Sequence, residues 1–428
     1  MKAAKMGRRT MSSETTPAKG RSFTLFLLII VYALNFLDRQ ILSILKEPIA
    51  AELHLNDAQL GWMGGLAFGL LYSILAIPVA WLADRYSRVW IMTASLAIWS
   101  GFTAVCGLAM TFPQMFLARM GVGIGEAGGA PPAYSLIADL YPPKQRARAL
   151  SVYSLAIPIG SAAGILFGGL MAAAVNWRWA FLVIGGVGVL MAPVLRLMVK
   201  DPVRGRFDRA PAKPLSFGAV VKLAAGKPSF WLMAFGASFA SLVGYGFLYW
   251  FPTFLARSLH MDIVSRSELF AGAFLISGII GILAGGILAD RMGAVRKGVY
   301  PLIPALAFVA SVPLYALCIM AKTPHEAFLF ILLPQALGLM WFGPLLTAVQ
   351  QLAPAASRSL MAALFLLITN LIGLSAGPYF FGKVSDLLKP EYGADSIKWA
   401  FVIGLGFYLV AAALLLLASR TIRKDWVD

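Results

Sequence analysis

Apolar positions along this chain follow neither the alternation of a strand nor the one-sided stripe of a soluble helix. They run in long stretches, near residues 23–45, 58–83, 89–110, 113–138, 149–174, 178–199, 229–256, 267–289, 297–321, 326–352, 359–385 and 397–419. At about 1.5 Å of rise per residue, some twenty residues cross a ~30 Å hydrocarbon layer. Helices satisfy their own backbone hydrogen bonds in lipid, so the pattern predicts an all-α membrane protein of twelve spans. Composition agrees: 60% of the 428 residues are hydrophobic and 13% are charged, where a soluble domain carries about 25% charged residues. The mean hydropathy is +0.79.

A net charge of +17 raises the question of nucleic acid. The placement of the cations answers it: 25 Lys and Arg fall in segments on the N-terminal side of the membrane, against 8 in the loops opposite. This asymmetry is the positive-inside rule, so no nucleic-acid partner is expected and both termini are predicted in the cytoplasm of a cell whose inner (plasma) membrane holds the chain. A secretory signal at the N-terminus is disfavoured, because no small-residue cleavage site follows and eleven further spans do. Residues 1–21 and 421–428 are read as cytoplasmic tails. Cys106 and Cys318 lie inside spans and form no metal or disulfide framework, and His54, His260 and His325 map to outer loops. A proton relay within the membrane therefore has to use carboxylates.

Those carboxylates stand beside arginines. Asp38 and Arg39, in NFLDRQ of span one, lie about 22 Å into an apolar run, where each charge costs roughly 2.5–3.5 kcal/mol unless it faces a cavity or a partner. Arg119 and Glu126 on span four are seven residues apart and share one helix face. An Asp38–Arg119 ion pair and a lone Glu126 are expected. Asp38 and Glu126 are the candidate proton-coupling groups, Glu126 being loaded first; Arg39 and Arg119 are the candidate partners for a substrate headgroup. The GxGxxG-like run GVGIGEAGG follows no strand, so it is read as a close-packing and bending device and not as a nucleotide site.

The chain also repeats itself. AWLADRYSR, with Asp84, Arg85 and Arg88, ends span two; GGILADRMG, with Asp290 and Arg291, ends span eight. Pro142 with Arg146 is echoed by Pro354 with Arg358. Two parallel six-helix halves follow, residues 22–199 and 229–420, joined by a basic linker at 200–228. This organisation and the LADR segments resemble the major facilitator superfamily, with Ala80, Ser87 and Val89 departing from its usual loop pattern in the first copy. NFLDRQ, the stretch 119–153 and AIPIGSAAG at 156–164 resemble its Spinster branch more narrowly. The resemblance implies alternating-access transport of sphingolipid or lysophospholipid, coupled to protons. It also implies a gating role for Asp84, Arg85, Arg88, Asp290 and Arg291, with Asp84 meeting the start of span eleven.

The C-terminal half has no ionisable side chain in the middle of spans seven to ten. Its polarity comes from Tyr245, Tyr249, Gln335, Trp341, Thr369 and Asn370, the candidate cavity residues. A cavity charged on one wall and apolar on the other suits an amphiphile. The expected activity is proton-coupled secondary transport of an amphiphilic lipid, with no enzyme chemistry, no cofactor beyond a proton gradient, and a monomer among membrane lipids. Two alternatives stay open: a broad proton-driven efflux carrier for hydrophobic drugs, and a non-transporting receptor or scramblase. No Gly-x-x-x-x-Gly-Lys phosphate loop occurs.

Overall fold

The computed structural model describes residues 20–204, 216–293, 296–354 and 357–427. Ten helical stretches are long and apolar enough to cross a membrane. The last of them, Arg358–Asp425, contains two crossings, and a further crossing, Phe112–Glu126 with Ala130–Leu140, is too interrupted to qualify by length. Twelve spans result. They form two halves of six, and the protein is an all-α, multi-pass membrane protein.

Span one is Arg21–Leu53, which continues eight residues past the end of the apolar run 23–45. The run had seemed to end before Lys46, Glu47 and Pro48; the helix continues because Lys46 is buried rather than released to headgroups. Span two is Asp57–Gly64 followed by Leu66–Arg85, and span five is Pro143–Ser154 followed by Ala156–Ala174. In the second half, spans seven and eight are Pro228–Arg257 and Ile263–Gly293. Span nine is Val299–Ile319, and span ten is Pro324–Leu339 with Phe342–Gln350. Span eleven carries one wide π-helical turn, Asn370–Leu374, between Arg358–Thr369 and Ser375–Tyr392. Span twelve is Ser396–Gly404 and Gly406–Asp425.

Apolar burial gives little drive for association inside lipid, so close backbone contact has to hold the helices together. A Cβ at Gly164 of span five would lie 2.8 Å from the Cα of Leu37 on span one. One at Gly123 of span four would lie 2.6 Å from the carbonyl oxygen of Phe68 on span two. These two contacts hold span five against span one next to Asp38, and span four against span two. Span four breaks at Ala127–Gly129, immediately after Glu126.

Two segment boundaries differ from the sequence reading. The linker contains a helix, Phe217–Ala225, capped by Ser216, whose Val220 and Ala224 are buried. The C-terminal segment is helical through Asp425 instead of forming a tail from residue 421: the Asp425 carboxylate accepts from the amide and hydroxyl of Ser229, at 2.9 and 2.5 Å, and so pins span twelve to the start of span seven. Residues 1–19 and 205–215, part of the expected tail and linker, lie outside the described residues.

Candidate substrate cavity and charge cluster

The four charges of spans one and four meet in one place. Asp38 and Glu126 are each 1% exposed and Arg119 is 2% exposed. Arg39 donates from Nε to Glu126 Oε2 at 2.6 Å, and Arg119 Nη1 lies 3.7 Å from Asp38 Oδ1. The Asp38–Arg119 pair has the expected partners; Glu126 is not alone, because Arg39, on a different face of span one from Asp38, reaches it across the cluster. The geometric reason for Glu126 to be loaded with a proton ahead of Asp38 is thereby removed. Thr103 on span three, Arg88–Leu108, donates its hydroxyl to Asp38, a partner that the sequence reading missed.

The two arginines differ. The Arg39 guanidinium sits among the rings of Phe36, Phe68 and Tyr72, with centroids at 5.1, 4.8 and 4.5 Å, so cation–π contact supplements its carboxylate. Among the described residues Arg119 has no hydrogen-bond acceptor for Nε or Nη1. Both line a cavity of about 280 Å³ between the halves.

Arg39 and Arg119 are the cationic groups of its lining, and both come from the N-terminal half. The opposite wall includes Tyr245, Tyr249, Gln335, Trp341 and Asn370, with Leu248 and Phe342 among them. The π-helical turn begins at Asn370, and such turns widen a helix where a side chain must be re-aimed. Thr369 is absent from the lining; it is buried, and its hydroxyl bonds to the carbonyl of Phe365 in its own helix at 2.9 Å. Gln335 is held by the hydroxyl of Tyr315 at 2.8 Å.

At the end of the bundle remote from the chain termini, polar contacts join the two halves. Arg257, closing span seven, binds Asp57, opening span two, through two parallel hydrogen bonds of 2.7 and 2.8 Å, and it also meets Glu47 at 3.2 Å. Asp386 of span eleven accepts from the amides of Asp57 and Ala58 at 3.1 and 2.8 Å, and Ser385 donates to Asp57 at 2.8 Å. Lys46, fully buried, donates to the carbonyl of Tyr249 and lies 4.2 Å from the ring centroids of Tyr249 and Trp250. Tyr249 in turn donates to the carbonyl of Leu60 at 2.7 Å. This lock was not read from the sequence, since its charges stand at span ends like ordinary loop residues.

The loop-motif residues divide. Arg88 is buried and binds Asp139 of the N-terminal half together with Asp201 at the start of the linker, the latter at 2.8 Å. It anchors the start of span three to the end of span four, so it does not bridge the halves. Arg85 is exposed and folds back over the Trp81 ring at 3.8 Å, and Arg291 is exposed on the last turn of span eight. The side chains of Asp84 and Asp290 lie outside the described residues.

Residues 28–378 match the family model of the Major Facilitator Superfamily. The chain is 33% identical to an MFS-type efflux pump of Mycolicibacterium smegmatis over 94% of its own length and 93% of the relative's. It is 28% identical to Protein spinster homolog 1 of Xenopus tropicalis, over 90% of this chain and 79% of that one. The chain is a Spinster-family member of the major facilitator superfamily. Its fold is also that of a crystal structure of a bacterial homologue of the human lysosomal transporter Spinster, solved inward-facing and unoccupied, with a TM-score of 0.86, 29% identity and coverage of 95% of this chain and 98% of the other. In this Spinster-type transporter Arg39 and Arg119 line the cavity and pair with the buried Asp38 and Glu126, and no enzyme chemistry is assigned to them.

Proposed function

We propose that this transporter is a proton-coupled secondary carrier that moves an amphiphilic lipid, of lysophospholipid or sphingoid kind, by alternating access. The observation that carries the reading is the asymmetry of the cavity: an arginine with unsatisfied donors on one wall, aromatic and aliphatic side chains on the other. An anionic headgroup would take charge-assisted hydrogen bonds from Arg119 and Arg39. The acyl or sphingoid chain would lie against Leu248, Trp341 and Phe342. Asp38 and Glu126, each facing an arginine that the headgroup also needs, are the proposed proton carriers. The positive-inside charge pattern supports cytoplasmic termini in a bacterial inner membrane, and with that orientation the lock around Asp57 and Arg257 closes the outer side of an inward-facing state. Asp84 is proposed to serve the opposite, cytoplasmic gate.

A broad-specificity efflux carrier is the second reading, favoured by the name of the mycobacterial relative. Reconstitution into vesicles with an imposed pH gradient tests both. Accumulation of a lysolipid or sphingoid phosphate that collapses with a protonophore supports the first reading. Equal transport of cationic dyes and lysolipids supports the second. Lipid equilibration that ignores the protonophore would mean a scramblase and defeat both.

A further inference from the structure

A second recess, of about 380 Å³, lies away from the central cavity, between the start of span nine and the end of span twelve. Arg296, Arg420 and Arg423 line it, together with Gly298, Leu302 and Ser419, and no residue lines both cavities. The three arginines are exposed, and among the described residues none of them is in an ion pair. Three cations gathered with no counter-ion among the described residues repel one another, so the arrangement calls for an anion. A Cβ at Gly298 would come within 2.7 Å of the Ser419 carbonyl oxygen, so the two helix ends touch there through backbone while their arginines stand around the recess.

What lies along the same helices narrows the anion. On span twelve, Leu416, Arg420 and Arg423 recur at intervals of four and three residues and so share a stripe. On span nine, Val299, Leu302 and Leu306 do the same. Leu306 is 57% exposed and Leu416 is 37% exposed, so each stripe passes from the basic recess onto a bare apolar surface. Trp426 stacks on Tyr300 at 5.7 Å and carries the Lys297 ammonium 5.0 Å from its ring, an aromatic pair of the kind found at the membrane–water boundary. Cations at the boundary above an apolar track match a molecule with a phosphate head and hydrocarbon chains.

We propose that the recess binds the phosphate head of an anionic phospholipid from the surrounding membrane, with its chains lying over Leu306 and Leu416. Basic pockets between helix ends recognise such lipids through the summed attraction of their cations. The bound phosphodiester bridges spans nine and twelve at Arg296 and Arg423, neutralises their repulsion and holds the last turn of the chain in register. This site needs only that the chain spans a membrane, and it stands whether or not the central cavity carries a lipid.

Native mass spectrometry of the full chain, with phosphatidylglycerol, phosphatidylcholine of the same chains, or glycerol 3-phosphate, tests it. Phosphatidylglycerol should remain bound after detergent exchange, and its occupancy should fall at least tenfold when Arg296, Arg420 and Arg423 are all changed to Gln, while Arg420→Lys keeps most of it. Equal retention of phosphatidylcholine, or an unchanged triple variant, would overturn the proposal. So would displacement of the lipid by equimolar glycerol 3-phosphate, which would make the recess a site for soluble phosphate esters. A measurement on wild-type arginines guards against misfolding of the triple variant. Brominated phosphatidylglycerol should quench the Trp426 emission, defined as that lost in Trp426→Phe, several-fold more than brominated phosphatidylcholine; equal quenching also counts against the site.

Discussion

Arg39 and Glu126 meet at 2.6 Å across spans one and four, beside the longer Arg119–Asp38 contact of 3.7 Å. Neighbouring residues on a helix point about 100° apart, so Asp38 and Arg39 reach two different levels of span four, which holds its partners two turns apart. Each carboxylate is thereby given to a different arginine. The tight pair is packed among three aromatic rings; the loose pair leaves Arg119 Nε and Nη1 without an acceptor among the described residues. Under the proposed function, the loose pair is the one that a headgroup would enter.

Arg119→Ala should therefore weaken binding of an anionic amphiphile by roughly tenfold to a hundredfold, the ~1.5–3 kcal/mol scale of a hydrogen bond to a charged group. Arg39→Ala should cost less, since its Nε is already committed to Glu126. Neutral amphiphiles of the same chain length should lose little. Calorimetric titration of purified variants checks the ranking, and equal losses for charged and neutral ligands would make the arginines structural.

The spans were legible because about twenty apolar residues have few destinations other than a bilayer. The charge cluster was legible because charges at that depth have to find company. Their pairing was not. Whether Arg39 or Arg119 takes Glu126 depends on helix rotation, fixed by contacts such as Gly164 against Leu37, and spacing along one chain does not carry that information. Lys46 was hidden differently: followed by Glu47 and Pro48, it reads as the end of a span, while span seven offers it a carbonyl and two ring faces. Asp57 and Arg257 read as separate loop charges until the halves close on each other.

Asp57 is 1% exposed and receives both arms of Arg257 across the halves, so Asp57→Asn leaves the partly buried guanidinium with Glu47 as its remaining carboxylate. Removing one partner of a fully buried pair typically costs about 3–5 kcal/mol, an upper bound here because Arg257 is partly exposed and keeps Glu47. Here the cost falls on the conformation in which the halves meet at this end. Spin labels on either side of the lock, at exposed Asn56 and Glu391, should report longer distances and a larger open fraction in Asp57→Asn. A distance distribution identical to that of wild type would show that the lock contributes nothing to closure.

Lys46 has no carboxylate within ion-pair distance among the described residues and depends on one carbonyl and two rings. Exchanging a buried ion for an apolar side chain of similar volume is often neutral or stabilising. Lys46→Met should thus keep or raise the thermal midpoint while reducing transport, because the ammonium links span one to Tyr249 on the cavity wall and to the lock beyond it. Thermal unfolding and vesicle uptake, measured on the same preparation, separate the two effects. A variant that transports at the wild-type rate would leave Lys46 a packing residue.

The proposed proton sites are tested by removing both acids. Desolvation opposes the charged form of a buried carboxylate and an adjacent arginine favours it. When a substrate phosphate draws Arg119 or Arg39 away, the balance at the released carboxylate tips toward protonation. On that proposal substrate and proton draw on the same four side chains, so each should alter the binding of the other, and to the same degree. Asp38→Asn with Glu126→Gln mimics the doubly protonated cluster: the amide oxygens still accept from Arg39 and Arg119, and the negative charge is gone. In wild type, inter-half distances should change with pH and substrate affinity should shift with them. In the double variant both should hold one value across the same range, the one that wild type reaches at its acid end. Paired spin-label distances and ligand titrations at several pH values give the answer, and a double variant that retained the full pH response would place the coupling proton on groups other than these two carboxylates.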